Sequence, residues 1–352
     1  MIDAHSYAAY DAQSPLKSWD FQRREVGDHD VQIDILFCGV CHSDLHYARG
    51  EWMPVNYPQV VGHEIVGQVV KVGKDVSKHK AGDFVGVGCI VDSCRTCSSC
   101  QADLENYCTE GMQGTYMGVE KQTGRPTQGG YSTVIVVDEN YVLRVPAGMD
   151  LAKAAPLLCA GITLYSPLRH WNAGPGKTVG IVGLGGLGHM GVKLAHAMGA
   201  KVILFTTSPD KVADGKKLGA DDVVISKSED DMKRYAGQLD LIVNTVAASH
   251  QLDPFINLLK LDGTMVLVGA PATPHPSPQV FPLLMQRRSL AGSAIGGIRE
   301  TQEMLDFCAE HDVLPEIEMT SMQDINQAWD RVAKSDVKYR FVIDMATLKG
   351  PR

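Results

Sequence analysis

With 352 residues, 44% of them hydrophobic and 21% charged, the chain is long enough for about two domains and too apolar for a disordered one. Its net charge of −8 argues against nucleic acid as the main partner, because phosphate contacts need clustered Lys and Arg. The opening Met1-Ile2-Asp3-Ala4-His5 has neither the basic nor the apolar stretch of a secretory signal, and no uninterrupted apolar run reaches about 18 residues, so no membrane span is expected.

The first 150 residues read as an irregular antiparallel β domain. Val31-Gln32-Ile33-Asp34-Ile35 alternates apolar and polar residues, the period of a half-buried strand. A second strand is expected over Val66 to Val72, stopped by Gly73, and a third from Phe84 to Val91. The third leads into Cys94, Cys97, Cys100 and Cys108, spaced C-x2-C-x2-C-x7-C. Four thiolates this close can close a tetrahedral shell around one Zn²⁺. A bacterial ferredoxin run is C-x2-C-x2-C-x3-C-P. Here the last gap is seven residues and Thr109 follows, so the spacing reads as a structural zinc lobe rather than an iron–sulfur site. Nine cysteines without a signal peptide point to a reducing, cytoplasmic compartment, with thiolate ligands rather than disulfides.

Near residue 151 the pattern changes to alternating strands and helices. Strands are expected at Lys177 to Val182, Lys201 to Phe205, Leu239 to Val243 and Met265 to Val268. Leu187, Met190, Leu194 and Met198 recur at helical spacing, and Val212 to Leu218 lies on a second helix. The alternation implies a doubly wound parallel sheet with right-handed crossovers. Residues 271 to 282 are Pro-rich and read as an exposed loop. A helix is expected near Glu300 to Ala309, and a last strand, Tyr339 to Ile343, returns to the first domain.

Gly183-Leu184-Gly185-Gly186-Leu187-Gly188 fits G-x-G-x-x-G directly between a strand and an amphipathic helix, the context that makes the motif informative. Gly183, Gly185, Gly186, Leu187 and Gly188 are candidates to approach a pyrophosphate at the helix N-terminus. An NAD site places Asp or Glu at the end of the next strand. This chain has Phe205-Thr206-Thr207-Ser208-Pro209-Asp210-Lys211 there, with no acid at the strand end. Thr206, Thr207, Ser208 and Lys211 suit a 2′-phosphate, which favours NADP(H). The plainer reading is a hydroxyl-rich turn beside a solvated lysine.

Gly62-His63-Glu64 follows Cys41 by about 20 residues, and Cys159 lies in Ala155-Pro156-Leu157-Leu158-Cys159. Two thiolates and an imidazole leave a fourth position open, as in a catalytic zinc site. Cys159 reads equally as a small core residue.

Taken together, the motifs resemble the zinc-dependent medium-chain alcohol dehydrogenases. Cys41-His42-Ser43-Asp44-Leu45-His46, Gly62-His63-Glu64, the cysteine lobe, Cys159-Ala160-Gly161-Ile162-Thr163 and the glycine fingerprint occur in that family's order. The chain is most similar to the cinnamyl alcohol dehydrogenase branch and its bacterial broad-range aldehyde reductases. Gly183 to Met190 and Asp336 to Asp344 carry that likeness too.

The resemblance implies an α/β chain: a β-rich, GroES-like catalytic domain over residues 1–150 and 295–352, and a Rossmann NADP(H)-binding domain over 151–294. Cys41, His63 and Cys159 would hold a catalytic zinc, giving two Zn²⁺ per chain, with Glu64 a nearby carboxylate. Asp44 would orient His63 through its other ring nitrogen. Ser43 would pass the alcohol proton through a ribose hydroxyl to His46. Thr163 and Arg340 would help hold nicotinamide and pyrophosphate, with Val268 also in the cofactor site, and Trp52 would line the substrate pocket. Cys38, Cys89 and Cys308 are expected to be buried thiols without a role. The implied activity is hydride transfer between NADP(H) and a range of aldehydes and primary alcohols, in a homodimer with no membrane or nucleic-acid partner. The alternatives are an NAD-linked alcohol oxidiser and a non-catalytic scaffold that binds zinc and dinucleotide.

Overall fold

The computed structural model describes residues 1–348. Its backbone contacts divide it into two units, Met1–Cys159 with Gly296–Arg352, and Ala160–Ile295.

The first unit is built on a seven-stranded sheet. Asp30–Val40 lies at its centre, flanked by Ile65–Val72, Val134–Asp138 and Arg340–Asp344, all antiparallel to it. The last of these is the predicted returning strand, and Ile317–Ser321 pairs parallel to its outer side. The inward residues Val31, Ile33 and Ile35 are essentially inaccessible, as alternation predicts for a strand with one buried face, whereas consecutive Ile65 and Val66 are both buried, so that end of the sheet is covered on both faces.

The expected strand from Phe84 to Val91 is broken in two, Phe84–Val87 and Ile90–Asp92. At Gly88 a Cβ would stand 3.1 Å from the Leu158 carbonyl, so the chain passes that backbone closely. Thr115 then holds the kink, its N–H donating to Cys89 O at 3.1 Å and its hydroxyl to Gly88 O. The second piece leaves the large sheet and pairs with Gln113–Gly114.

The cysteine lobe is anchored to the C-terminal part of the same unit. Glu105 Oε2 accepts the N–H of Ile298 at 3.0 Å, in the first turn of the helix Ile298–Glu310. Arg299 on that helix pairs with Asp103 at 2.9 Å.

The second unit holds six parallel strands. In space they run Asp222–Ile225, Lys201–Thr206, Thr178–Val182, Leu239–Asn244, Leu259–Leu267, Ser289–Gly292. Numbered along the chain from Thr178–Val182, that order is 3-2-1-4-5-6, the Rossmann order. Val182, Ile203, Phe205, Ile242 and Met265 belong to one buried cluster, as expected of parallel strands covered on both faces. The short outer strands Asp222–Ile225 and Ser289–Gly292 have no alternation to reveal them in the sequence. The Pro-rich stretch is a loop only in part, for Val280–Leu284 is helical.

Leu151–His170 is 20 residues long and apolar enough to cross a membrane by length and composition, although Lys153 and Arg169 interrupt its apolar run. Within it, 78% of the most apolar window is buried inside the protein, as in a core helix.

The glycine turn sets the geometry of the second unit. Gly183 has φ +94°, and a Cβ on Gly188 would run into the Gly183 carbonyl oxygen. Gly188→Ala should therefore destabilise the protein by about 1–3 kcal/mol in urea unfolding. It should also weaken NADPH binding in a fluorescence titration. Unchanged values of both would show that the turn accepts a side chain.

Candidate active site

Three neighbouring strands of the first unit bring their ends together. Cys38 sits opposite Ile65, and Phe341 opposite Val40. That register places Cys41, the pair His63-Glu64 and Arg340 at one end of the sheet. Gly62 before the histidine has φ +103°, and a Cβ there would lie 2.6 Å from the Tyr131 ring. Only glycine suits that turn.

Cys41 caps the helix His42–Ala48, and Cys159 lies in the π-helical turn Leu157–Gly161. Such turns recur at functional sites because one extra residue redirects a side chain. One ligand atom each from Cys41, His63, Glu64 and Cys159 fall within 4.8 Å of one another, and all four residues are buried. Cys41 Sγ and Cys159 Sγ are 3.8 Å apart. His63 Nε2 is buried with no hydrogen-bond partner. Its Nδ1 is taken by the Tyr116 hydroxyl at 3.0 Å, so Nε2 is the ring nitrogen left for a metal. Two sulfurs and one imidazole nitrogen are the donor set of a catalytic zinc, and the cluster fits that ion.

The electrostatics agree. A hydrogen bond with Cys159, helped by the charges of Arg340 and His63, holds the Cys41 thiol well below its ordinary pKa. Cys159, sharing hydrogen bonds with Cys41 and Cys89, is pushed up instead. Cys89, expected to be a thiol without a role, therefore stands at the site: its contact with Cys159, then the nearby His63, brings it down to about 5. The kink at Gly88 carries it there.

Glu64 makes a buried ion pair with Arg340. Burial pushes the Glu64 carboxyl up, opposed first by that arginine. Arg340, expected to help hold nicotinamide and pyrophosphate, meets Glu64 through one terminal nitrogen, and its Nε has no hydrogen-bond partner. The expectation for Asp44 is corrected. Asp44 Oδ1 stands 3.9 Å from His63 Nδ1, beyond hydrogen-bond reach, and Tyr116 takes that nitrogen. Asp44 is occupied otherwise. It accepts the Cys41 N–H at 2.9 Å, the Gly62 N–H at 3.1 Å and the Tyr131 hydroxyl at 3.1 Å.

Ser43 Oγ lies 3.5 Å from Cys41 Sγ. His46, one turn along the same helix, hydrogen-bonds Glu51 through Nδ1 and stacks on Trp52 with ring centroids 4.7 Å apart. Trp52 meets Tyr47 edge-on at 5.0 Å, and Tyr47 meets Tyr116 edge-on at 5.5 Å. The structure thus joins Trp52, His46 and His63 through one aromatic row. Sequence reasoning missed Tyr116 and Glu51. Glu51 beside Trp52 gave a faint signal, and Tyr116 none.

The sulfur atoms of Cys94, Cys97, Cys100 and Cys108 also fall within 4.8 Å of one another. Backbone N–H groups of Cys94, Cys97 and Cys100 point at the sulfurs of Cys108, Cys94 and Cys97, at 3.4, 3.3 and 3.5 Å. Ser93 Oγ is 3.1 Å from Cys100 Sγ. Donors aimed at four sulfurs fit a closed tetrathiolate zinc site.

In the second unit, Gly183, Gly185, Gly186 and Leu187 form the turn before the helix Gly188–Ala197. Lys211 Nζ donates to the Leu184 carbonyl at 3.0 Å, so the lysine reaches back over the glycine turn. Thr207 is exposed and Ser208 half-buried, whereas Thr206 is buried and its hydroxyl accepts the Ser208 N–H at 3.2 Å. Thr206 therefore shapes the turn. Val268 follows the fifth strand, its N–H bonded to Asn244 O at 3.0 Å, and Thr163 is buried in the helix Ile162–His170.

Residues 27–147 match the alcohol dehydrogenase GroES-like domain, and residues 186–310 the zinc-binding dehydrogenase family. The aldehyde reductase YahK of Escherichia coli (strain K12) is 61% identical over 97% of both chains. NADP-dependent alcohol dehydrogenase C 1 of Mycolicibacterium smegmatis is 57% identical over 99% of this chain and 100% of its own. A cinnamyl alcohol dehydrogenase structure from Sorghum bicolor (L.) Moench superposes with a TM-score of 0.95, at 47% identity over 99% of both chains. With its two zinc-ligand clusters and its Rossmann sheet, the chain belongs to the zinc-binding, GroES-like alcohol dehydrogenases.

Proposed function

We propose that this protein is an NADP(H)-dependent zinc aldehyde reductase and alcohol dehydrogenase acting on a range of aldehydes and primary alcohols. The observation that carries the reading is the buried cluster of Cys41, His63 and Cys159 in a chain that also holds a Rossmann sheet with no acid at the end of its second strand. Relatives named as an aldehyde reductase and an NADP-dependent alcohol dehydrogenase support it.

When bound, zinc supplies Lewis acidity toward the carbonyl or alcohol oxygen and NADP(H) supplies or accepts the hydride. The chain's own residues do the rest. Cys41, His63 and Cys159 hold the metal, and Arg340 fixes Glu64 beside them. Ser43 holds the hydroxyl proton of the substrate, and His46, steadied by Glu51 and Trp52, exchanges it with water. Trp52 lines the substrate side. Gly183, Gly185, Gly186, Leu187 and Gly188 leave room for the pyrophosphate, Thr163 and Val268 belong to the cofactor site, and Thr207, Ser208 and Lys211 receive the 2′-phosphate. The first unit is the catalytic domain and the second the dinucleotide domain. Nine free cysteines suit a reducing compartment such as the cytoplasm.

The chain is further proposed to form a homodimer. Val280, Phe281 and Leu284 on the short helix Val280–Leu284, with Met285 at its C-terminal cap, are 62–74% exposed, just before the outermost strand Ser289–Gly292 in the chain. Open apolar clusters at a sheet edge favour association.

Three measurements follow from these readings. In steady-state assays with an aldehyde panel, NADPH should exceed NADH by at least about tenfold in kcat/KM, which is about 1.4 kcal/mol. Lys211→Glu should shrink or reverse that ratio, whereas equal use of NADH by the unaltered protein would point to the NAD-linked oxidiser. Metal analysis should find about two Zn per chain. Cys41→Ser should abolish activity and keep the fold, while Cys100→Ser should first lower the melting temperature. The opposite pattern would exchange the two site assignments, and a protein with one zinc or none would favour the scaffold reading. Light scattering should give a dimer that Phe281→Asp with Leu284→Asp converts to monomer, and a monomeric wild type would end the dimer proposal.

A further inference from the structure

We infer that Tyr116 is the residue that positions His63 at the catalytic metal, carrying to that ring the influence of an Asp44 carboxylate that does not touch it. The inference rests on the reading of Cys41, His63 and Cys159 as a metal site.

The geometry is specific. The Tyr116 hydroxyl is 3.0 Å from His63 Nδ1. The two rings also stack, with centroids 5.4 Å apart and planes 12° from parallel. A hydrogen bond fixes one ring atom, and a parallel stack fixes the ring plane. Together they remove both rotations that would swing Nε2 away from Cys41 and Cys159. Tyr116 is itself 5% exposed, and its far side is held edge-on by Tyr47. Its own freedom is therefore small.

A neutral imidazole that gives Nε2 to a metal carries its proton on Nδ1. Nδ1–H then donates to the Tyr116 oxygen. The Tyr116 hydroxyl proton points to Asp44, whose side chain hydrogen-bonds Tyr116 and stands 3.9 Å from the same His63 nitrogen. The other three donors to Asp44 are a hydroxyl and two backbone N–H groups that serve the turn and the helix start. The tyrosine thus separates the acid from the imidazole while leaving them electrostatically joined. Groups behind a metal-binding histidine typically change metal affinity about 10–100-fold when removed.

The decisive variant is Tyr116→Phe in the full-length enzyme, which keeps the ring and its stack and deletes only the hydroxyl. Co²⁺ replaces zinc at the site lost in His63→Ala, so that its visible bands report ligand geometry. The inference expects altered Co²⁺ bands and release of that one metal to a chelator at about 10–100-fold lower chelator concentration, with the cysteine-lobe metal retained. Retention of the lobe metal shows that the fold persists. A role in packing alone would leave the bands unchanged in Tyr116→Phe, and that result overturns the inference. If His63→Ala itself kept both metals, the metal-site reading would fall and this inference with it.

Discussion

Glu64 and Arg340 meet where neither side chain is more than 6% exposed, and much of the first unit follows from that pair. A carboxylate stripped of water is costly unless a cation and hydrogen bonds replace the solvent. Arg340 comes from a strand 276 residues away in sequence, and its charge is what makes Glu64 tolerable beside two cysteines. Gly39 passes beneath with no side chain, since a Cβ there would collide with the Glu64 carboxylate. The pair therefore fixes which residue crosses under it, which strand lies beside it, and how closely Cys41 and His63 can approach. Removing one partner of such a pair typically costs about 3–5 kcal/mol, because the other is left charged and dry.

The two units meet different electrostatic demands. In the first, the charged pair at the site is interior, Glu64 beside Arg340. In the second, the polar work falls to backbone: the turn from Gly183 to Gly188 exposes N–H groups at a helix start, the arrangement that attracts phosphate. Lys211 adds a cation there without entering the core. An NADP(H) site can thus be tuned at the rim by single side chains, whereas the metal site tolerates few changes.

How much of this was legible in the sequence depended on distance along the chain. The cysteine lobe and the glycine fingerprint are local, so spacing alone named both. The parallel sheet was legible from uninterrupted apolar strands. Residue type alone left Cys41, His63 and Cys159 between a zinc set and an ordinary core cysteine, and family resemblance decided it, because their proximity depends on strand register. What was hidden depended on register too. The Glu64–Arg340 pair joins residues 276 apart in sequence, so no local pattern announces it. Tyr116 sits in a turn with no period, and its hydroxyl meets His63 only because Gly62 and the Thr115 bonds set both loops. Cys89 read as an ordinary thiol until the kink at Gly88 turned it inward.

The clamp between the cysteine lobe and the helix Ile298–Glu310 bears on the order of assembly. The lobe's ligands lie within one short stretch and can gather metal as soon as that stretch is made. Glu105 must wait for Ile298, 193 residues later, before it can cap the helix. The central strand waits longer still for Arg340–Asp344. During synthesis the continuous second unit is complete before the first, although the first begins earlier. The closure of such long loops is entropically costly and slow. A ribosome-bound chain thus carries a finished dinucleotide fold and a loaded cysteine lobe while the catalytic pocket is still open at one edge. Its thiols are most exposed to stray metal and oxidant in that interval.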